Sequence, residues 1–320
     1  MKKVLDFVKG AVSTKDLHPV LTNFRFYNGR VQGGNGRIAI DAPLDLGGID
    51  ITVPAVPFIR AIEACGGDPE LNITKGGRLI VKKDKFKSLL PLSDNASFPL
   101  AKIDEFVRDK WQPSNGLVKV LKTIRSFIGE DASRPWACGV LFKEGFLYAT
   151  NNVVIVRVPY DMPEHLEINI PSYTIDELIR VNKDPIHLAY TESAVLFGYG
   201  QSWMRSHLFD TKWPDVDKFF EGHDVLQLVP GGLLSAVEKI LPFCPDSKFP
   251  VIRLDELGVH TAEGDMSADV GGLALPDSRY RAEPLQMVLR QATRIDLTKY
   301  PGPVPFAGDN RLQGILVGVK

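Results

Sequence analysis

The sequence predicts an α+β chain assembled from three copies of one unit, each with two helices packed on antiparallel sheet. Three observations predict it. A residue-Pro pair opening a strand-like run recurs at His18-Pro19, Arg134-Pro135 and Phe249-Pro250, about 115 residues apart. An apolar strand ending in Pro and leading into a helix recurs from Ile51 to Pro54, from Ile168 to Pro171 and from Leu273 to Pro276. An aromatic-Pro pair closes the first two copies, as Phe98-Pro99 and Trp213-Pro214. Internal repetition is read before any local signal because it decides the architecture. A unit of about 110 residues has the size of a domain and exceeds that of a solenoid repeat. The division that follows is 1–108, 109–221 and 222–320.

Each copy opens with a short amphipathic helix. In the second, Leu117, Leu121, Ile124 and Ile128 keep the 3.6-residue period, while Lys119, Lys122 and Arg125 fall on the remaining arc. The first copy begins directly at such a helix, with Val4, Leu5, Phe7, Val8 and Val12 apolar and Lys2, Lys3 and Lys9 off the stripe. The third offers Leu233, Leu234, Val237, Ile240 and Leu241 with Lys239. Strands joined by tight turns follow, at Tyr27-Asn28-Gly29 and Lys143-Glu144-Gly145, where Gly supplies the positive φ of a hairpin. A second helix comes next, near Phe58 to Ala64, Ile175 to Val181 and Leu285 to Arg290. Further strands close the unit, such as those flanking Gly76-Gly77 and the pair Ile186 to Tyr190 and Ala194 to Phe197. Helices set against antiparallel strands, without strand-helix-strand alternation, make the class α+β.

A chain of 320 residues that is 44% hydrophobic can bury several cores. No apolar run approaches the length of a membrane span, and the N-terminus lacks a secretory leader pattern, so a soluble, cytoplasmic protein is expected. Cys65, Cys138 and Cys244 show no metal or redox spacing and read as reduced, buried thiols. Basic and acidic residues nearly cancel, 38 against 39, so nucleic-acid binding would require the basic residues to gather on one face.

Signatures of catalysis are missing. There is no Walker sequence, and Gly33-Gly34-Asn35-Gly36 lies between strands, where a turn is expected. His18, His165, His187, His207, His223 and His260 show no paired metal spacing. The carboxylate pairs Asp104-Glu105, Asp255-Glu256 and Glu263 with Asp265 have no convergent partner in sequence. Nor is there a G-x-S-x-G elbow or a Cys-His pattern. No residue is therefore put forward for catalysis, and no cofactor or metal is expected.

In their order, the repeated residues resemble the bacterial DNA polymerase sliding clamp, or β clamp, the DNA polymerase III subunit beta. The resemblance rests on Leu17-His-Pro-Val-Leu21, Gly139-Val-Leu-Phe-Lys143 with Ala149-Thr150, Phe98-Pro99, Trp213-Pro214-Asp215 and the closing Gly314 to Lys320. It spans nearly the whole chain. It implies three repeated DNA-clamp domains forming half of a six-domain ring, closed by a second copy as a homodimer. It further implies a processivity factor that encircles double-stranded DNA and tethers a replicative polymerase and other clamp-binding-motif proteins, set in place by a clamp loader. The setting would be a bacterial cell, with a phage product as the alternative source. A basic, acid-poor helix face turned to a central hole would attract phosphates without reading sequence.

Carried over residue by residue, the resemblance implies DNA contacts from Lys2, Lys3, Lys9, Lys15, Lys119, Lys122, Arg125, Arg180, Lys183, Lys239 and Arg290. It implies a partner-peptide groove walled by Ala137, Thr150, Asn152, Val153 and Ile155, with Pro214 and Phe219 from the connector and Ile315, Val317 and Gly318 from the tail. It places the closing edge on Lys85 to Leu92 with Phe86 as the anchor, although Lys85 and Lys87 could equally keep that edge from pairing.

Several residues depart from the family pattern. Thr150-Asn-Asn-Val-Val154 stands where the family has Thr-Asp-Gly-His-Arg, and Val317-Gly-Val-Lys320 where it has Met-Pro-Met-Arg. The third copy is shortened between Pro250 and Pro276. Two other readings stay open at the level of sequence: a scaffold built from the triplicated unit without DNA, and an α+β enzyme with an unrecognised site.

Overall fold

The computed structural model describes residues 1–15, 18–106, 111, 113, 115–222, 226–245, 249–271 and 275–319. Leu17, His223, Leu273, Ala274 and Lys320, named above, lie outside the described residues. The chain divides into two compact units, Met1–Pro113 with Arg180–Leu208, and Ser114–Ile179 with Phe209–Lys320.

In the first unit, helix α1 (Lys2–Val8) tightens into a 3-10 turn at Lys9–Ala11. Strands β1 (Asn23–Tyr27), β2 (Arg30–Gly34), β3 (Ile38–Pro43) and β4 (Ile51–Pro54) follow, then helix α2 (Ala55–Cys65). A three-stranded sheet, β5 (Glu70–Ile73), β6 (Arg78–Lys83) and β7 (Phe86–Pro91), completes the first copy. The second copy supplies three more strands to this unit, β12 (His187–Tyr190), β13 (Ala194–Tyr199) and β14 (Ser202–His207). Pairing of β14 with β3, Met204 opposite Ile40, joins everything into one antiparallel sheet ordered β12-β13-β14-β3-β2-β1-β4. The repeat boundaries and the compact units therefore do not coincide, because ladder hydrogen bonds join strands of neighbouring copies.

The core of this unit is aromatic. Phe24, Phe26 and Phe58 are fully buried, with the Phe26 and Phe58 rings 5.3 Å apart, edge to face. Gly33 lets α1 approach the sheet closely, since a Cβ there would stand 3.0 Å from the Val8 carbonyl oxygen.

The second unit repeats the plan. Helix α3 (Leu117–Ile124) passes into a 3-10 turn at Arg125–Phe127, and Leu117, Val118, Leu121 and Ile124 are buried. Strands β8 (Gly139–Lys143), β9 (Phe146–Thr150), β10 (Val154–Pro159) and β11 (Glu167–Pro171) lead into helix α4 (Ser172–Val181). From the third copy come β15 (Gln227–Leu228), helix α5 (Leu233–Ile240), β16 (Val251–Asp255), β17 (Gly258–Thr261), β18 (Ser267–Asp269) and β19 (Ser278–Arg281). Helix α6 (Ala282–Gln291), β20 (Ala292–Ile295), β21 (Val304–Gly308) and β22 (Gln313–Leu316) end the chain. One sheet runs β11-β8-β9-β10-β22-β21-β20-β15 and another β18-β17-β16-β19.

Four expectations are corrected. Pro19 and Pro135 open 3-10 turns, Pro19–Thr22 and Pro135–Ala137, and the strands start after them, whereas Pro250 directly precedes β16. Proline at the first position of a 3-10 turn withholds an N–H that would have no partner there. In the third copy the strand that enters the second helix is β19, two residues beyond Pro276. Gly33 and Gly34 belong to β2, so the turn begins at Asn35. Of the cysteines, all free, Cys65 is buried, while Cys138 and Cys244 are half-buried. Burial pushes the thiols of both half-buried cysteines up, helped at Cys138 by the nearby Asp131 and Glu130 carboxylates.

Candidate functional site

An apolar groove of about 190 Å³ opens in the second unit. Its wall begins with Thr150 at the end of β9, continues through Asn152, Val153 and Val154, and reaches Ile155 on β10. Strand β22 extends it, because Ile315 pairs with Ile155 and the Val317 N–H donates to the Val153 carbonyl at 2.9 Å. Pro214, Val216 and Phe219 from the connector, with Trp136 and Pro303, complete the lining. No lining residue is charged, and Val317 and Phe219, 48% and 40% exposed, leave apolar surface at the mouth.

The rim is a rigid turn. The Asn151 side chain accepts from the Val153 and Val154 N–H groups at 3.1 and 2.8 Å. The Thr150 hydroxyl donates to the Val154 carbonyl at 2.8 Å and accepts from the Asn152 N–H at 3.0 Å. Asn152 sits at φ 70, a left-handed conformation that asparagine tolerates better than most residues. The Asn-Asn sequence thus removes charge from the turn but holds its shape by its own hydrogen bonds.

The connector behind the groove is pinned by a polar knot. The Tyr148 hydroxyl donates to Asp217 at 2.7 Å, with Lys143 and Arg157 each 3.8 Å from the same carboxylate. The Arg157 guanidinium lies between the Phe146 and Phe220 rings, 4.5 and 4.3 Å from their centroids. Burial and the Asp217 hydrogen bond hold the Tyr148 phenol far above its usual range. Val216 packs with Leu141 and Tyr148, so the connector presents Pro214 and Phe219 from a fixed backbone.

Of the ten groove residues expected from sequence, eight line the cavity. Ala137 is buried behind the wall, 1% exposed, and Gly318 lies outside the lining. Gly318 serves the tail instead: a Cβ there would come within 2.6 Å of the Tyr300 ring. The Val319 N–H donates to the Arg279 carbonyl at 2.8 Å and its carbonyl accepts from the Tyr300 hydroxyl at 2.6 Å. The tail is therefore built into the fold. Sequence reasoning missed Trp136, Val154, Val216 and Pro303. The Arg134-Pro135 landmark points at Trp136 and the Trp213-Pro214 landmark at Val216; Pro303 has no signal.

The eleven basic candidates are distributed over both units. Lys2, Lys3, Lys9, Lys15, Arg180 and Lys183 are exposed in the first unit. Lys2 pairs with Glu63 at 3.0 Å and Lys9 with Asp6 at 2.7 Å, so α1 carries an acid that the expected acid-poor face did not allow for. Arg180 donates to the carbonyls of Asp6 and Phe7 at 2.8 Å each, hydrogen bonds that lie within the first unit. In the second unit Lys119 and Lys122 are exposed on α3 and Lys239 on α5. Arg125 lies past the helix, in the 3-10 turn, and forks onto Asp176, while Arg290 on α6 pairs with Glu238 at 2.9 Å. Exposed ion pairs of this kind are held weakly in water, so a phosphate can compete for these cations.

Phe86 is half-buried at the start of β7, opposite Lys83. Strand β7 is an edge of its three-stranded sheet, and Leu89 on it is 44% exposed. Among the described residues no group of three or more His, Cys, Asp or Glu side chains could hold a metal ion, and no helix is long and apolar enough to cross a membrane.

Successive copies of one α+β unit share antiparallel sheets, and solved DNA sliding clamps have this fold. The chain is similar over its full length to the beta subunit from DNA polymerase of Streptococcus pyogenes, with a TM-score of 0.81, 17% identity and 97% of that chain covered. It is similar in the same way to the DnaN sliding clamp of Bartonella birtlesii in its complex with griselimycin (TM-score 0.82, 16% identity, 100% and 96% covered). The Bacillus subtilis DNA polymerase sliding clamp is a third such structure (TM-score 0.80, 17% identity, 100% and 96% covered). No protein-family model and no curated protein matches the sequence.

Proposed function

We propose that this chain is a DNA sliding clamp, a non-catalytic processivity factor organised as clamp domains 1–108, 109–221 and 222–320. Two copies close a ring around double-stranded DNA, and the groove holds a peptide of a replicative polymerase or another clamp-binding protein. The observation that carries the reading is the full-length likeness to DNA polymerase III beta subunits, with 100% of this chain aligned. Two features of this chain support it further. Exposed lysines sit on the first helix of each copy, Lys2, Lys3, Lys119, Lys122 and Lys239, where they can attract phosphates without reading bases. An uncharged groove with an apolar mouth suits a short linear segment better than a polar substrate. A clamp loader would place the ring, and the bacterial cytoplasm is the proposed setting, with a phage as the alternative source.

Topology gives a test that needs no loader. A duplex fixed to a bead at one end is incubated with the protein, and its free end is then capped with a bulky group. An encircling ring stays on capped DNA through a wash at high salt and slides off uncapped DNA. Electrostatic binding alone disappears from both, because each phosphate neutralised by the protein makes affinity fall steeply with salt. Equal release from capped and uncapped DNA would favour the scaffold reading.

A further inference from the structure

A cavity of about 630 Å³ opens in the first unit, bordered by Arg30 on β2, by Lys102 and Asp104 of the connector, and by Gln201, Ser202 and Trp203 at the start of β14. None of these residues belongs to the proposed groove or to the proposed DNA face.

The second unit shows what fills the corresponding space there. Counted from Pro43 and Pro159, which end the third strand of each copy, Arg30 corresponds to Phe146 and Asp41 to Arg157. Counted from Pro99 and Pro214, Lys102 corresponds to Asp217 and Glu105 to Phe220. In the second unit the Phe146 and Phe220 rings lie on the Arg157 guanidinium, 4.5 and 4.3 Å away. In the first unit neither ring has a counterpart: Arg30 stands in place of Phe146, and Glu105 turns to Arg205 at 2.9 Å. The cavity lies where these rings are missing.

Its polar wall is fixed. The Arg30 Nε donates to Asp41 at 2.5 Å and its Nη2 to the Gln201 carbonyl at 2.7 Å, while Nη1 has no partner among the described residues. Asp41 offsets the charge of Arg30, so what remains available is the flat face of a guanidinium that is 29% exposed. Such faces stack on aromatic rings, as Arg157 does with Phe220. Lys102 is exposed and has no ion-pair partner among the described residues, so it offers an uncompensated charge at the rim. A ring for Arg30 and an anion for Lys102 make an aromatic phosphate, and the cavity falls within the range of small-molecule sites, about 300–1,000 Å³, with room for more than one ring.

We propose that this cavity binds a nucleoside monophosphate, with the base stacked on Arg30 and the phosphate on Lys102. Asp104, exposed at the rim, accepts from a sugar hydroxyl. The proposal does not depend on the clamp reading, and its failure would leave that reading untouched.

The test is isothermal titration of the full-length protein with adenosine monophosphate, adenosine and inorganic phosphate. The monophosphate is expected to bind with a Kd between about 10 µM and 1 mM, the range for a ligand of its size, and each of its two parts far more weakly. Lys102→Glu should weaken the monophosphate about fivefold or more without changing the binding of adenosine, because it removes one exposed charge contact and adds a repulsion. Ser202→Trp puts a ring into the cavity and should abolish binding of both. Lys102 is exposed and Ser202 half-buried, so unchanged melting temperatures check the two folds, and Lys102→Glu alone suffices if the larger substitution unfolds the chain. A single-stranded oligodeoxyadenylate that displaces the monophosphate would identify the natural ligand as an unpaired nucleotide of a strand; one that does not would identify it as the free nucleotide. No binding of the monophosphate up to about 5 mM, or binding that both variants leave unchanged, would overturn the proposal.

Discussion

At the scale of single residues, the two units place charges of opposite sign at the same strand position beside the segment each one pins. In the first unit Asp41 is fully buried on β3 and accepts from the Tyr27 hydroxyl at 2.7 Å, the Gln32 amide at 3.2 Å and Arg30 at 2.5 Å. Gln32 also brackets the Ala101 backbone, accepting at 2.7 Å and donating at 3.3 Å, which fixes that connector. In the second unit the strand supplies the cation, Arg157, and the connector supplies the carboxylate, Asp217. Asp41 and Arg157 occupy corresponding positions of their strands, so the repeat is invisible there at the level of residue identity. The geometry explains the exchange, since a buried charge needs its partner and the side from which the partner comes is free to vary. Replacing Asp41 by Ala leaves Arg30 without its carboxylate and the Tyr27 hydroxyl without its acceptor. The expected cost is about 3 kcal/mol, read as a lower urea midpoint at unchanged slope. A midpoint within error of the parent would mean that the knot contributes no net stability.

At the scale of elements, the helices are legible in the sequence and the strand edges less so. The 3.6-residue stripe of α3 marks both its buried side and its exposed lysines, because burial of Leu117, Leu121 and Ile124 dictates the period directly. The entry strand of the third copy is hidden because Leu-Ala-Leu-Pro looks more apolar than Ser-Arg-Tyr-Arg, although only the second alternates, with Ser278 and Tyr280 buried. The groove is legible through the family resemblance, which supplies eight of its lining residues; the repeat landmarks mark only Pro214 among them. Pro303 escapes because it enters from a turn that is distant in sequence and carries no periodic signal. A prediction belongs to α3. Reversing Lys119 and Lys122 to Glu should leave stability within about 0.5 kcal/mol, since both are exposed. The same change should weaken DNA binding and flatten its dependence on salt by about one log–log unit for each phosphate no longer neutralised. Arg125 is left intact because its fork onto Asp176 would confound a charge reversal. Unaltered binding with an unaltered salt slope would remove α3 from the proposed DNA face.

At the scale of the whole molecule, the remaining question is what meets the free edge of β7. That strand offers unpaired backbone groups along one side, with Phe86 half-buried and Leu89 exposed on it, and Ile73 49% exposed elsewhere in the same small sheet. Exposed apolar side chains on an open edge favour pairing with another chain, whereas the flanking Lys85 and Lys87 are the residues proteins use to prevent it. Closure into a ring resolves the conflict if the lysines restrict pairing to a partner edge of suitable charge and exclude random association. Light scattering over micromolar concentrations should then give twice the 35.4 kDa mass of the chain. Phe86→Asp places a carboxylate in that contact and should return the particle to the mass of one chain with an unchanged circular dichroism spectrum. A parent protein that stays at 35.4 kDa throughout would assign Lys85 and Lys87 the gatekeeping role, and the homodimeric ring would no longer describe the free protein.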